Sequence, residues 1–181
     1  MSEFEFVFPL FALLVGLSMT EMLSGLAFAL KSKRDIRVGW LTPLLGTLIL
    51  INLAMFWQGS WDIRDQITAT SGSFILALVV GGAYFLAASL VFPSWSSDVR
   101  DLDEHFMDVR RVSLLAIAAC NLVFFVRIAI ATAGPIGSWW WGGNILFVVL
   151  LVLAAFIRDR RVILCILAFL IAAHGLVLVL D

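Results

Sequence analysis

The chain has 181 residues, of which 62% are apolar and only 14% charged, with a formal net charge of −1. Its mean hydropathy is +1.07. A typical soluble domain carries about 25% charged residues, so these figures exclude a soluble globular enzyme, a disordered tail and a collagen-like fibre, and leave a polytopic membrane protein. Twelve basic residues against thirteen acidic ones also exclude a nucleic-acid binder, which needs a basic excess to neutralise phosphates.

Six apolar runs follow one another, at about 6–30, 40–59, 73–92, 112–133, 141–157 and 162–180. Each suits one transmembrane helix. Six helices of about 20 residues leave no room for a soluble domain. The expected fold is all-α, a single domain over 1–181, with six transmembrane helices in a bundle. The runs are continuous rather than alternating, which excludes a β-barrel. The connections are short, so consecutive helices should be antiparallel neighbours. The chain opens on acidic residues, Glu3 and Glu5, rather than the positive charge of a secretory signal. The first run is therefore expected to be a retained span.

Ten of the twelve Lys and Arg fall in alternate connections. Lys31, Lys33, Arg34 and Arg37 follow the first run, Arg100, Arg110 and Arg111 the third, and Arg158, Arg160 and Arg161 the fifth. The positive-inside rule puts these connections in the cytoplasm and both termini on the outer, periplasmic side of a bacterial inner membrane. The tryptophans agree. Trp40 and Trp95 mark the predicted cytoplasmic ends, and Trp57, Trp61, Trp139, Trp140 and Trp141 the outer ends. Indole rings favour the headgroup level, apolar on the ring and wet at the N–H.

Three ionisable residues lie inside runs: Glu21, Arg127 and His174. Such residues are costly in a membrane and usually face the bundle interior. Glu21 belongs to a small and polar stripe with Gly16, Ser18, Thr20, Ser24 and Gly25. Stripes of this kind let helices approach closely and hydrogen-bond. Desolvation would favour the neutral carboxyl. Glu21 is thus a candidate proton or cation site, or a carboxyl that locks helices together. Tyr84 and Asn121 lie at similar predicted depth, and a Glu21–Tyr84–Asn121 cluster is expected. Asn52 is a further polar residue at mid-depth. Arg127 lies roughly 14 Å from Glu21 in depth across a core of about 30 Å. A direct pair is therefore not expected. Arg127 instead reaches outward to Asp62 and Asp65, or attracts an anion. His174 has no second intramembrane histidine with which to hold a haem, so a satisfied or interface role is expected. No cofactor and no metal site is expected.

The connection before the fourth run is the only sizeable polar segment. Val99, Leu102, Phe106 and Val109 recur at helical spacing, with Ser97 as a candidate N-cap. The expectation is a short cytoplasmic amphipathic helix lying on the membrane surface. Asp101, Glu104 and Asp108 share its other side, where carboxylates one turn apart could instead hold a divalent cation. Residues 96–111 are the natural place for a protein partner to dock. Cys120 and Cys165 sit in apolar runs and read as small buried hydrophobes. Nucleophile-elbow, phosphate-loop, dinucleotide-binding and zinc-protease patterns are absent, so no enzyme is expected.

Several short motifs are spread along the chain. The stripe from Gly16 to Gly25 is followed by the basic stretch from Lys31 to Arg37, then by Trp40. Phe56-Trp57 closes the second run and Leu90-Val91-Phe92-Pro93 the third, and Glu104-His105-Phe106 leads to Arg110-Arg111. In this the chain resembles a family of uncharacterised small bacterial six-helix inner-membrane proteins. The resemblance implies a bacterial inner-membrane protein and brings no activity or site with it. The functional expectation is a small channel or transporter-like protein for a proton, cation or small solute, built on Glu21 with Ser18, Thr20, Tyr84 and Asn121 around it. A homo-oligomer in the lipid bilayer would supply the thickness that one chain lacks. The alternative is a non-catalytic membrane subunit, scaffold or sensor.

Overall fold

The computed structural model describes residues 2–31, 36–93, 99–131 and 138–180. Lys33, Arg34, Trp95, Ser97 and the start of the 96–111 segment lie outside the described residues, as does the side chain of Trp139. The described residues form six α-helices: α1 (Glu3–Lys31), α2 (Leu41–Asp62), α3 (Ser71–Ser89), α4 (Leu102–Ala131), α5 (Ser138–Phe156) and α6 (Arg160–Leu180). A 3-10 turn, Arg64–Gln66, follows α2. Helices α1 to α4 are long and apolar enough to cross a membrane, while α5 carries a shorter apolar stretch, Trp140–Phe156.

Local chemistry sets the helix starts. Ser2 and Glu5 form a reciprocal capping box on α1: the Ser2 hydroxyl accepts the Glu5 N–H at 3.1 Å and the Glu5 carboxylate accepts the Ser2 N–H at 2.6 Å. Thr70 caps α3 through Ser73 N, and Asp159 caps α6 through Arg161 N. For α4 the cap is Asp101, whose Oδ1 accepts from Asp103 N at 2.8 Å and Glu104 N at 3.3 Å.

The start of α4 corrects one expectation. Among the described residues no separate amphipathic helix precedes the fourth run, because the polar stretch from Leu102 and the run form one continuous 30-residue helix. Nothing between Leu102 and Ala131 breaks it, since the segment contains neither Gly nor Pro. The apolar seam of the polar stretch is buried in the bundle: Leu102 and Phe106 are among its most enclosed side chains.

Helix α2 is central, packing on α1, α4 and α6. Helix α1 fills the angle between α2 and α3, and α4 joins α3 to α5. Helix α3 packs chiefly on α1 and α4 rather than on its predecessor α2, so the expected chain of sequential neighbours is broken there. The core is aliphatic, with Leu45 and Leu53 of α2 meeting Ala88, Leu114, Leu151 and Leu167 in one cluster. The outer surface is apolar too: Leu13, Ile75, Leu86, Leu122, Ile145 and Phe169 are all exposed. Water would not tolerate so much exposed hydrocarbon, and a lipid bilayer would.

The starts of α2 and α4 are tied together. Arg37 N donates to Arg100 O at 2.9 Å and Leu102 N to Arg37 O at 3.0 Å. The Arg37 and Asp101 side chains pair at 3.5 Å. The Thr42 hydroxyl donates to Leu102 O at 2.7 Å, and Asp103 Oδ1 accepts the Leu41 N–H at 3.0 Å. Gly39, at φ +61, gives the turn into α2 a conformation that L side chains rarely adopt. At the same end His105 Nε2 lies 3.1 Å from Leu90 O, just past α3, and can donate to it. The Phe92 ring fills a slot between α1 and α2 that is open only because Gly25 and Gly46 lack side chains.

Candidate functional site

Two buried polar side chains, Tyr84 and Asn121, converge on Asn52 of α2. The Tyr84 hydroxyl of α3 donates to Asn52 Oδ1 at 2.7 Å. Asn121 Nδ2 of α4 donates to the same oxygen at 2.9 Å and to Ile117 O at 2.9 Å. Asn52 Nδ2 returns a bond to Asn121 Oδ1 at 3.1 Å. Tyr84 and Asn121 are almost fully enclosed and Asn52 nearly so. Phe56 covers the network, edge-on to Tyr84 at 5.2 Å. Each amide oxygen accepts and each amide nitrogen donates, so no strong unmet valence is left for an ion. The three side chains hold three helices in register, which is what a satisfied buried network does best.

Glu21 is not part of this network. It lies on an exposed face of α1 beside Thr20 and Ser24, also exposed. The expected Glu21–Tyr84–Asn121 cluster is therefore corrected to Asn52–Tyr84–Asn121. The buried seam of α1 runs through Phe11, Val15, Ser18, Met22, Gly25 and Ala29. At 100° per residue Glu21 sits roughly 75° round from its middle. Ser18 is buried but turns its hydroxyl back to Leu14 O at 2.8 Å, and Thr20 donates to Gly16 O at 2.9 Å. Ser18 and Thr20 thus serve their own helix.

Arg127 lies on α4 toward the end opposite the Arg37–Asp101 tie. Contrary to expectation, it does not pair with Asp62 or Asp65. Asp62 accepts from Gln58 Nε2 within its own helix, and Asp65 pairs with Arg64 at 3.8 Å. Arg127 instead borders a cavity of about 90 Å³ among α1 to α4. Phe8, Phe11, Leu76, Val80 and Phe124 make most of its wall, with the Ser60 and Ser73 hydroxyls as further polar groups. A single water needs roughly 10–15 Å³ by this measure, so the cavity has room for a larger guest. Arg127 is exposed and forms no ion pair among the described residues.

His174 Nδ1 is 2.8 Å from Leu170 O, and its ring meets Phe147 edge-on at 5.0 Å. It is a half-buried packing residue on α6. Among the described residues no three His, Cys, Asp or Glu come together as a group that could hold a metal ion. Glu104 and Asp108 are exposed on α4, while Asp101 is occupied as its cap.

No family model matches the chain. Neither the curated proteins nor the solved structures contain a match to it. The functional reading therefore rests on its own residues.

Proposed function

We propose that the chain is a non-catalytic inner-membrane protein of the sensor or scaffold class, and that it binds an amphipathic anion in the Arg127 cavity. The observation that carries this reading is the composition of that cavity: aromatic and aliphatic walls with one guanidinium at the border that forms no ion pair among the described residues. A concave, mostly apolar site with a few placed polar groups is the ordinary form of a ligand pocket. An apolar chain would lie against Phe8, Phe11 and Phe124, and its carboxylate or phosphate would meet Arg127. In this reading all six helices belong to the membrane domain. The Arg-rich ends of α4 and α6 face the cytoplasm by the positive-inside rule, and the cavity opens in the outer half of the bilayer.

The test is binding of a long-chain carboxylate to the protein in nanodiscs. The unmodified protein should bind it saturably, Arg127→Gln should weaken binding about tenfold, and Ala77→Phe should block it. Equal binding by all three proteins, or none by the unmodified one, overturns the reading.

A second reading keeps transport. It is favoured by the position of Glu21, an intramembrane carboxyl on an exposed helix face with Thr20 and Ser24. A second copy packed on that face would enclose Glu21 at a helix–helix contact, where small residues allow close approach. Proton or cation flux in liposomes that Glu21→Gln abolishes would support it. Absence of flux in the unmodified protein would remove it.

A further inference from the structure

Among the described residues the most enclosed charge is not in the Arg127 cavity. Arg110, about two turns into α4, is only 8% exposed and lies on the seam of Leu102, Phe106, Leu114 and Ile117. Its Nη1 donates to Met107 O of its own helix. Its Nε has no partner. Ser113, one turn further on and fully buried, also leaves its hydroxyl oxygen unpartnered.

Three of the described acids are committed elsewhere. Asp101 pairs with Arg37 and caps α4, Asp103 holds Leu41 N, and Asp159 caps α6. Glu104 and Asp108 point from the exposed side of the same helix. No carboxylate among the described residues pairs with Arg110. A buried guanidinium without an anion, with a donor unused, is strongly unfavourable. Asp35 and Asp98 lie outside the described residues, and none of the described carboxylates supplies the counter-charge.

We propose that Arg110 and Ser113 form an oxyanion site, filled by a phosphate group. The group is carried by an anionic phospholipid headgroup or arrives as free phosphate. The guanidinium fork suits phosphate oxygens, and the Ser113 hydroxyl supplies a second donor. The surroundings favour an anion. The Arg111 guanidinium lies 5.9 Å over the ring of Phe156, the last residue of α5. That places it beside the turn carrying Arg158, Arg160 and Arg161. Arg110 also sits at the edge of the apolar part of α4, the level of lipid phosphates. Basic sites between helices on the cytoplasmic side are a recognised setting for anionic headgroups. The site is about 25 Å along α4 from Arg127, so it stands or falls independently of the cavity.

The experiment measures the unfolding midpoint of the full chain in nanodiscs under three conditions: phosphatidylcholine alone, phosphatidylcholine with increasing phosphatidylglycerol, and phosphatidylcholine with inorganic phosphate. The midpoint should rise with phosphatidylglycerol, with phosphate, or with both; the arm that responds identifies the source. Arg110→Gln should shift the half-maximal concentration about tenfold upward, whereas Arg160→Gln, an exposed arginine, should shift it less. Ser113→Ala should weaken the response while keeping the charge, and it remains informative if Arg110→Gln does not fold. A response that neither Arg110→Gln nor Ser113→Ala alters overturns the proposal. So does a protein that responds to neither probe.

Discussion

Asp103, in the first turn of α4, accepts the backbone N–H of Leu41, the first residue of α2. One helix thus caps another. Replacing a capping Asp by Ala costs about 1 kcal/mol, so Asp103→Ala should lower stability by about that amount in chemical unfolding. Gly39→Ala should cost more. Its backbone has φ +61, and a Cβ there would meet the Asp103 carboxylate at 2.2 Å.

The Asn52–Tyr84–Asn121 network predicts an order of severity. Tyr84→Phe removes one donor but leaves the amide pair intact, and should cost roughly 0.5–1.5 kcal/mol. Asn121→Leu strips Asn52 of its reciprocal partner in a buried site and should cost about 1–3 kcal/mol or more. The Asn52→Leu/Asn121→Leu double variant should be less damaging than the sum of the singles, which a double-mutant cycle measures. Strict additivity would show that the pair does not act as a unit.

A Cβ at Gly25 would lie 2.1 Å from the Phe92 ring. Gly25→Leu should therefore displace Phe92 and loosen α1 from the bundle, with a loss of about 1–3 kcal/mol. Combining it with Phe92→Ala should recover part of that loss. A Gly25→Leu protein with an unchanged melting curve would contradict the close packing.

The proposed orientation is tested by labelling in a background without Cys120 and Cys165. A membrane-impermeant thiol reagent should reach Gln66→Cys from outside the cell and Glu104→Cys only after the membrane is opened. The reverse pattern would invert the topology.

Glu21→Gln should leave the stability of the isolated chain within about 0.5 kcal/mol, as expected for an exposed position. A large loss measured for the monomer would place the carboxyl in a structural contact.

The helices were legible because apolar length is a strong signal, and five of the six both begin and end within a few residues of the expected bounds. The beginning of α4 was not. A charged stretch without Gly or Pro has no internal stop, and its burial depends on α2 being beside it, which periodicity in one helix does not reveal. Tyr84, Asn121 and Asn52 were identifiable as mid-depth polar residues, but their meeting was not. Glu21 shows the limit most clearly. Helix α1 is apolar on nearly every side, so its pattern does not say which face turns inward. The polar stripe was visible, and its rotation against α2 and α3 was not. Arg110 belongs by sequence to the polar connection after the third run, whereas the continuous α4 carries it into the bundle.

The tie between α2 and α4 has a consequence for biosynthesis. The Thr42 hydroxyl finds its acceptor sixty residues later in the chain. At about 5–20 residues per second, α2 emerges roughly 3–12 seconds before that acceptor exists. Over that interval the first turn of α2 has no fastening, and its amide and hydroxyl groups rely on headgroup water. A nascent chain halted before Asp101 would present an unfastened α2 to whatever machinery inspects unfinished membrane proteins.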